Sequence, residues 1–128
     1  MTTELTLLVW SVILLILQVL ISIAGAMSQV PLARLVGNRD TPIQLSGWAG
    51  RAKRAHGNLL ENLLPFAALV LVADALGISN GMTVLGAQLF FWGRVAYAAV
   101  YLAGIPWLRT GVWTVAFIGL LLILLQLC

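Results

Sequence analysis

From Leu5 to Met27 the chain carries no charged residue. A run of that length is what a helix needs to cross about 30 Å of hydrocarbon. It constrains the rest of the fold, because backbone inside a bilayer must satisfy its own hydrogen bonds, as a helix or a closed barrel does. The composition points the same way. Apolar residues make up 62% of the 128, charged residues only 9%, and the mean hydropathy is +1.05. A soluble domain carries about 25% charged residues, and seven basic with four acidic side chains cannot cover a soluble surface of this size. Four spanning helices use about 80 residues, which leaves room for connections; a fifth would be crowded. The expected fold is an all-α integral membrane protein, a four-transmembrane-helix bundle in one domain over residues 1–128.

Several classes are excluded. Disorder requires low hydrophobicity. One cysteine, Cys128, and one histidine, His56, rule out a disulfide scaffold, a zinc site and cysteine–histidine catalysis, and no metal is expected. The net charge of +3 reports topology rather than nucleic-acid binding. Helices are expected at about 5–27, 51–76, 82–103 and 106–127. Ala24-Gly25-Ala26 resembles a signal-peptidase site, yet Glu4 stands where a basic leader would begin and the run is long for a leader, so the first helix is expected to be retained. Between Ser28 and Lys53 the chain is polar and punctuated by Pro31, Gly37, Pro42, Gly47 and Gly50, with Arg39 and Asp40 read as a pair. Gly77 to Gly81 is a tight turn. Gly104-Ile105-Pro106 closes helix three and opens helix four. Basic residues concentrate in the first loop and the start of helix two, with Arg109 on the same side. The positive-inside rule places that side in the cytoplasm and both termini outside, as in a bacterial inner-membrane protein.

Ionisable groups inside a bilayer are costly and need a reason. Helix two carries Arg54, Asn58, Glu61 and Pro65, spaced 4, 3 and 4 along one helical face. That face must turn to the bundle interior or to another subunit. The ring of Pro65 displaces the carbonyl of Glu61, so that position offers a carboxylate and a freed carbonyl. Helix three carries Arg94, Tyr97 and Tyr101, again on one face. Arg94 either pairs with Glu61 to hold the bundle or serves a site; the tyrosines are interfacial aromatics or line that site. Arg109, followed by Thr110, sits in the first turn of helix four, where a cation adds to the positive end of the helix dipole. It is either a topology anchor or the partner of a bound anion. Ser11, Gln18 and Ser22 form a weak polar stripe explained by helix packing. Asp74 falls near the outer interface, solvated; His56 lies off the Arg54–Asn58 face as a structural or interfacial residue. Trp10, Trp48, Trp92, Trp107 and Trp113 are read mostly as belt or packing residues.

The stretch Arg54-Ala55-His56-Gly57-Asn58-Leu59-Leu60-Glu61-Asn62-Leu63-Leu64-Pro65-Phe66 resembles the signature of the MAPEG family, the membrane-associated proteins in eicosanoid and glutathione metabolism. It matches the R-A-H-x-N-x-x-E-x-x-x-P-F segment of microsomal glutathione transferases and prostaglandin E synthase. Arg94-x-x-Tyr97-x-x-x-Tyr101 followed by Arg109 resembles the family's later pattern. The resemblance implies a homotrimer with glutathione as co-substrate, bound between neighbouring subunits near the cytoplasmic side. Arg54, Asn58 and Glu61 would hold its peptide part; Arg94, Tyr97 and Tyr101 would line the pocket; Arg109 would stabilise the thiolate. Trp113 stands where several members have tyrosine, and Arg34 is a loose counterpart of the family's helix-one arginine.

The residue chemistry agrees. Glutathione carries two carboxylates, an ammonium and a thiol, and these side chains supply cations, a carboxylate and a polar amide. The thiol reacts only as thiolate, and a cation at a helix N-terminus favours that form. The second substrate, an apolar electrophile or a lipid hydroperoxide, would arrive from the surrounding lipid. Two alternatives stand beside a glutathione transferase: a non-catalytic scaffold of the same fold, and a small four-helix multidrug transporter, against which the lack of an acidic residue in helix one beyond Glu4 counts.

Overall fold

A computed structural model of the chain describes residues 1–37 and 43–128. The Arg39–Asp40 pair and Pro42 lie outside the described residues. The elements are α1 (Thr3–Gln29), α2 (Leu32–Val36), α3 (Gly47–Ala75), α4 (Gly81–Ala103) and α5 (Pro106–Leu127). The four long helices run alternately up and down, α1 packed chiefly on α3 and α4 chiefly on α5. The short α2 breaks the expected single loop.

α3 begins at Gly47 rather than Arg51. The cause is a long-range clamp. The Gln29 amide donates to the Ser46 carbonyl at 2.8 Å and accepts from the Ser46 backbone N–H at 2.9 Å, which fixes the chain just before the helix. At the next boundary Asn80 caps α4: its side chain accepts from the N–H groups of Met82 and Thr83, and the Thr83 hydroxyl accepts from the Asn80 N–H. This reciprocal pairing satisfies groups that a helix start leaves open. Gly104 ends α4 with φ of 79°, a left-handed conformation that costs glycine nothing, and Pro106 opens α5.

The buried stripe of α3 is Ala49, Ala52, Ala55, Leu59, Leu63, Phe66, Val70 and Ala73, at spacings of 3 and 4 that keep one face inward. Its centre is Phe66, stacked on Phe90 of α4 with ring centroids 4.0 Å apart and surrounded by Leu7, Leu59, Leu63, Leu120 and Ile123. α4 and α5 approach more closely than any side chain permits. A Cβ on Gly86 would lie 2.5 Å from the Gly119 carbonyl oxygen, and one on Gly119 would clash with the Gly86 carbonyl. Small residues that let helix backbones touch are the usual device of membrane bundles.

α1, α3 and α5 are long and apolar enough to cross a membrane. α4 is not among them, although four spanning helices were expected. Its 23 residues include Thr83, Gln88, Arg94, Tyr97 and Tyr101, which dilute its hydropathy. Several of those polar groups turn inward: Thr83, Arg94, Tyr97 and Tyr101 are all buried.

The two ends of the bundle differ in charge. Arg34, Arg51, Lys53, Arg54 and Arg109 gather where α1 and α4 end and α3 and α5 begin, whereas Glu4 and Asp74 occupy the opposite end. Glu4 is buried there, accepting from the Thr83 hydroxyl at 2.6 Å and the Ser79 hydroxyl at 3.0 Å. It thus ties the start of α1 to the α3–α4 turn. Asp74 is exposed. On α1, Ser11 and Ser22 are buried, with the Ser11 hydroxyl on the Leu7 carbonyl at 2.7 Å; Gln18 is buried too, its amide without a protein partner.

Candidate functional site

The polar positions of α3 lie one residue off its buried stripe. Ala55, Leu59 and Leu63 face the bundle, so Arg54 and Glu61 are exposed and Asn58 is half-buried on the outer flank of the protomer. Of the two orientations the spacing allowed, the structure takes the outward one. The Asn62 amide donates to the Asn58 carbonyl at 2.8 Å and to its side-chain oxygen at 3.2 Å, which leaves the Asn58 N–H₂ group to face outward. Asn62 had no part in the sequence reading; its signal is the i+4 spacing from Asn58 on the same turn of helix.

Arg94, Tyr97 and Tyr101 of α4 lie beneath that flank. All three are buried, so the tyrosines are not interfacial aromatics. Arg94 does not pair with Glu61. It is 1% exposed, and its Nε and both terminal nitrogens have no acceptor on the protein. The reason is the one-residue offset on α3, which carries the Glu61 carboxylate away from the bundle. Arg94 instead lies over the Tyr97 ring, 4.1 Å from its centroid, a cation–π contact that offsets only part of the cost of a buried charge.

The tyrosines connect the cations. The Arg54 Nε–H donates to the Tyr101 hydroxyl at 3.1 Å. The Arg109 guanidinium lies 4.7 Å from the centre of the same ring, and Tyr97 and Tyr101 are themselves in contact with centroids 5.5 Å apart. Arg109 sits half-buried in the first turn of α5. Two open clefts result. One, of about 390 Å³, is lined by Arg54, Gly57, Asn58, Glu61, Tyr97 and Tyr101. The other, of about 180 Å³, is lined by Asn58, Tyr97, Arg109, Thr110 and Trp113. Asn58 and Tyr97 belong to both, so the site is one trough with cations along it and a single carboxylate. Arg51 secures its rim, its Nε–H donating to the Leu102 carbonyl at 3.1 Å.

His56 stands apart, in a cavity with Ser22, Lys53 and apolar residues of α1 and the first connection. Arg34 lies on α2, outside both clefts. Trp107 is 88% exposed at the start of α5, a belt position; Trp113 belongs to the site.

An all-helical membrane protein with a cationic trough at its basic end is the class that this fold and site define. The chain belongs to the MAPEG family, whose model matches residues 5–128. Neither the curated proteins nor the solved structures give a significant match to it.

Proposed function

We propose that this protein is a membrane-bound, glutathione-dependent enzyme of transferase or peroxidase type. The observation that carries the proposal is the shared trough. Arg54 and Glu61 face outward with no ion pair between them, and Asn58 and Tyr97 lead from them to Arg109. Charges left unpaired on a membrane protein call for a ligand or a neighbouring subunit. Glutathione meets the inventory. Its ammonium suits Glu61, its carboxylates suit Arg54 and Arg94, and its amides suit Asn58 and the tyrosine hydroxyls. Its thiol would then lie toward Arg109, where a guanidinium and the start of α5 favour the anion. The thiolate would attack an apolar electrophile or a lipid hydroperoxide entering from the bilayer.

The exposed α3 flank, with Leu60 and Leu64 beside Arg54 and Glu61, supports assembly around it. We infer a homotrimer of four spanning helices each, α4 included because the bundle alternates, with the basic end cytoplasmic. Light scattering in mild detergent is expected to give three protomer masses, and a reporter fused after Cys128 to read outside. A monomer or a cytoplasmic C-terminus contradicts the arrangement.

Arg54→Ala and Glu61→Gln each remove half of a charge-assisted contact, worth about 1.5–3 kcal/mol, so each weakens glutathione binding about tenfold or more. Isothermal titration on assembled variants checks this. Unchanged affinity makes the flank an assembly surface; binding without turnover of any electrophile or hydroperoxide makes the protein a scaffold.

A further inference from the structure

We propose that Trp113 and Phe117 of α5 form an aromatic shelf that selects flat, electron-poor ring compounds as the second substrate. The proposal rests on the glutathione reading for its chemistry but not for its binding step.

Trp113 lines the trough beside Arg109 and Thr110. Its ring is nearly parallel to that of Phe117, at 9° with centroids 5.0 Å apart. The two residues are four apart on one face of α5, so the shelf runs along the helix axis. Phe117 is 37% exposed and Trp113 half-buried. The shelf therefore starts at the cations and ends on the surface of a helix apolar enough to cross a membrane. Thr114, between them in sequence, gives its hydroxyl to the Thr110 carbonyl at 2.8 Å, so it offers the shelf no free polar group. The other exposed aromatics do not share this placement. Trp92 is bonded to Gln88 at 2.8 Å, and Trp107 lines neither cleft.

A saturated chain gains from such a surface only by area. A flat ring also gains from offset stacking, and it gains most when electron-poor, because the faces of indole and phenyl are negative. Electron deficiency is also what exposes an aryl carbon to a thiolate. In that conjugation the sulfur forms a C–S bond to a ring carbon. The carbon–halogen bond breaks and halide leaves with its electron pair, the thiol proton having gone to water when the thiolate formed. The shelf ends beside Arg109, where the proposal puts that sulfur.

The test uses the purified protein in mild detergent without glutathione. Nitronaphthalene, flat and without a leaving group, and nitrocyclohexane, its saturated counterpart, are titrated calorimetrically. Trp113→Leu is expected to weaken nitronaphthalene binding about tenfold, an order-of-magnitude figure for a lost stacking partner, and to leave nitrocyclohexane within about twofold. Trp113→Phe should retain most of the affinity. Phe117→Leu gives a second, smaller loss and serves if Trp113→Leu does not assemble. Equal losses for both ligands, or no loss, overturn the shelf. Turnover of a chlorodinitrobenzene against an aliphatic epoxide, with glutathione present, separates the two claims. Stacking without any glutathione-dependent turnover sinks the glutathione reading and leaves the shelf. Turnover without ring discrimination sinks the shelf alone.

Discussion

Arg109→Ala is expected to lower turnover at neutral pH about 30-fold while weakening glutathione binding far less. The magnitude follows from ionisation. An unperturbed thiol with pKa about 8.5 is only about 3% thiolate at pH 7, so an enzyme that holds it fully ionised loses about that factor when the stabilising cation goes. The thiol is a small part of glutathione, whose carboxylates and ammonium find their partners elsewhere in the trough, so affinity falls little. The pH profile carries the sign. Arg109 keeps the thiol pKa low, so the native rate is flat above neutrality, whereas the variant's rate climbs as pH approaches 8.5 and solvent does the ionising. Arg109→Lys restores the charge without the forked donors and should rescue only in part. Steady-state kinetics across pH decides. Full turnover at pH 7 in Arg109→Ala would make this residue a topology anchor, its contact with Tyr101 merely structural.

Arg94→Met is expected to act in opposite directions on binding and stability. The guanidinium is buried with all three nitrogens lacking a protein acceptor. A buried cation held only by a ring face costs several kcal/mol, and replacing buried ions by apolar groups of like volume is neutral or stabilising by about 1–4 kcal/mol. The variant should therefore unfold at higher temperature. If the cation is retained for an anion of the substrate, glutathione binding drops about tenfold or more, since a charge-assisted contact is worth about 1.5–3 kcal/mol. Thermal unfolding and titration calorimetry on the same sample read both. A lower unfolding temperature with unchanged affinity would assign Arg94 to the packing of Tyr97 instead.

Local spacing made much of this legible. The 4, 3 and 4 intervals from Arg54 to Pro65 place those residues on one face, and the structure keeps them there. Spacing alone does not say which way a face turns. The small and aliphatic residues one position along, Ala55, Leu59 and Leu63, win the interior because they pack against α4, and this separates Glu61 from Arg94. Contacts far apart in the chain were beyond reach for a different reason. The Gln29–Ser46 clamp moves the start of α3, and the Glu4–Thr83 bond joins residues near opposite ends of the first three long helices; neither leaves a periodic trace. The pairing of Trp113 with Phe117 is visible as an i,i+4 interval, but its junction with the Arg109 cleft depends on where α5 meets α3 and α4.

The central claim is that this trough binds glutathione and ionises its thiol. Difference absorbance in the thiolate band, recorded as glutathione is added to the purified protein at pH 7, tests it most directly. A saturable thiolate signal, present in the native protein and lost in Arg109→Ala, is the predicted result. Saturable binding of glutathione with no thiolate band at any concentration would contradict it.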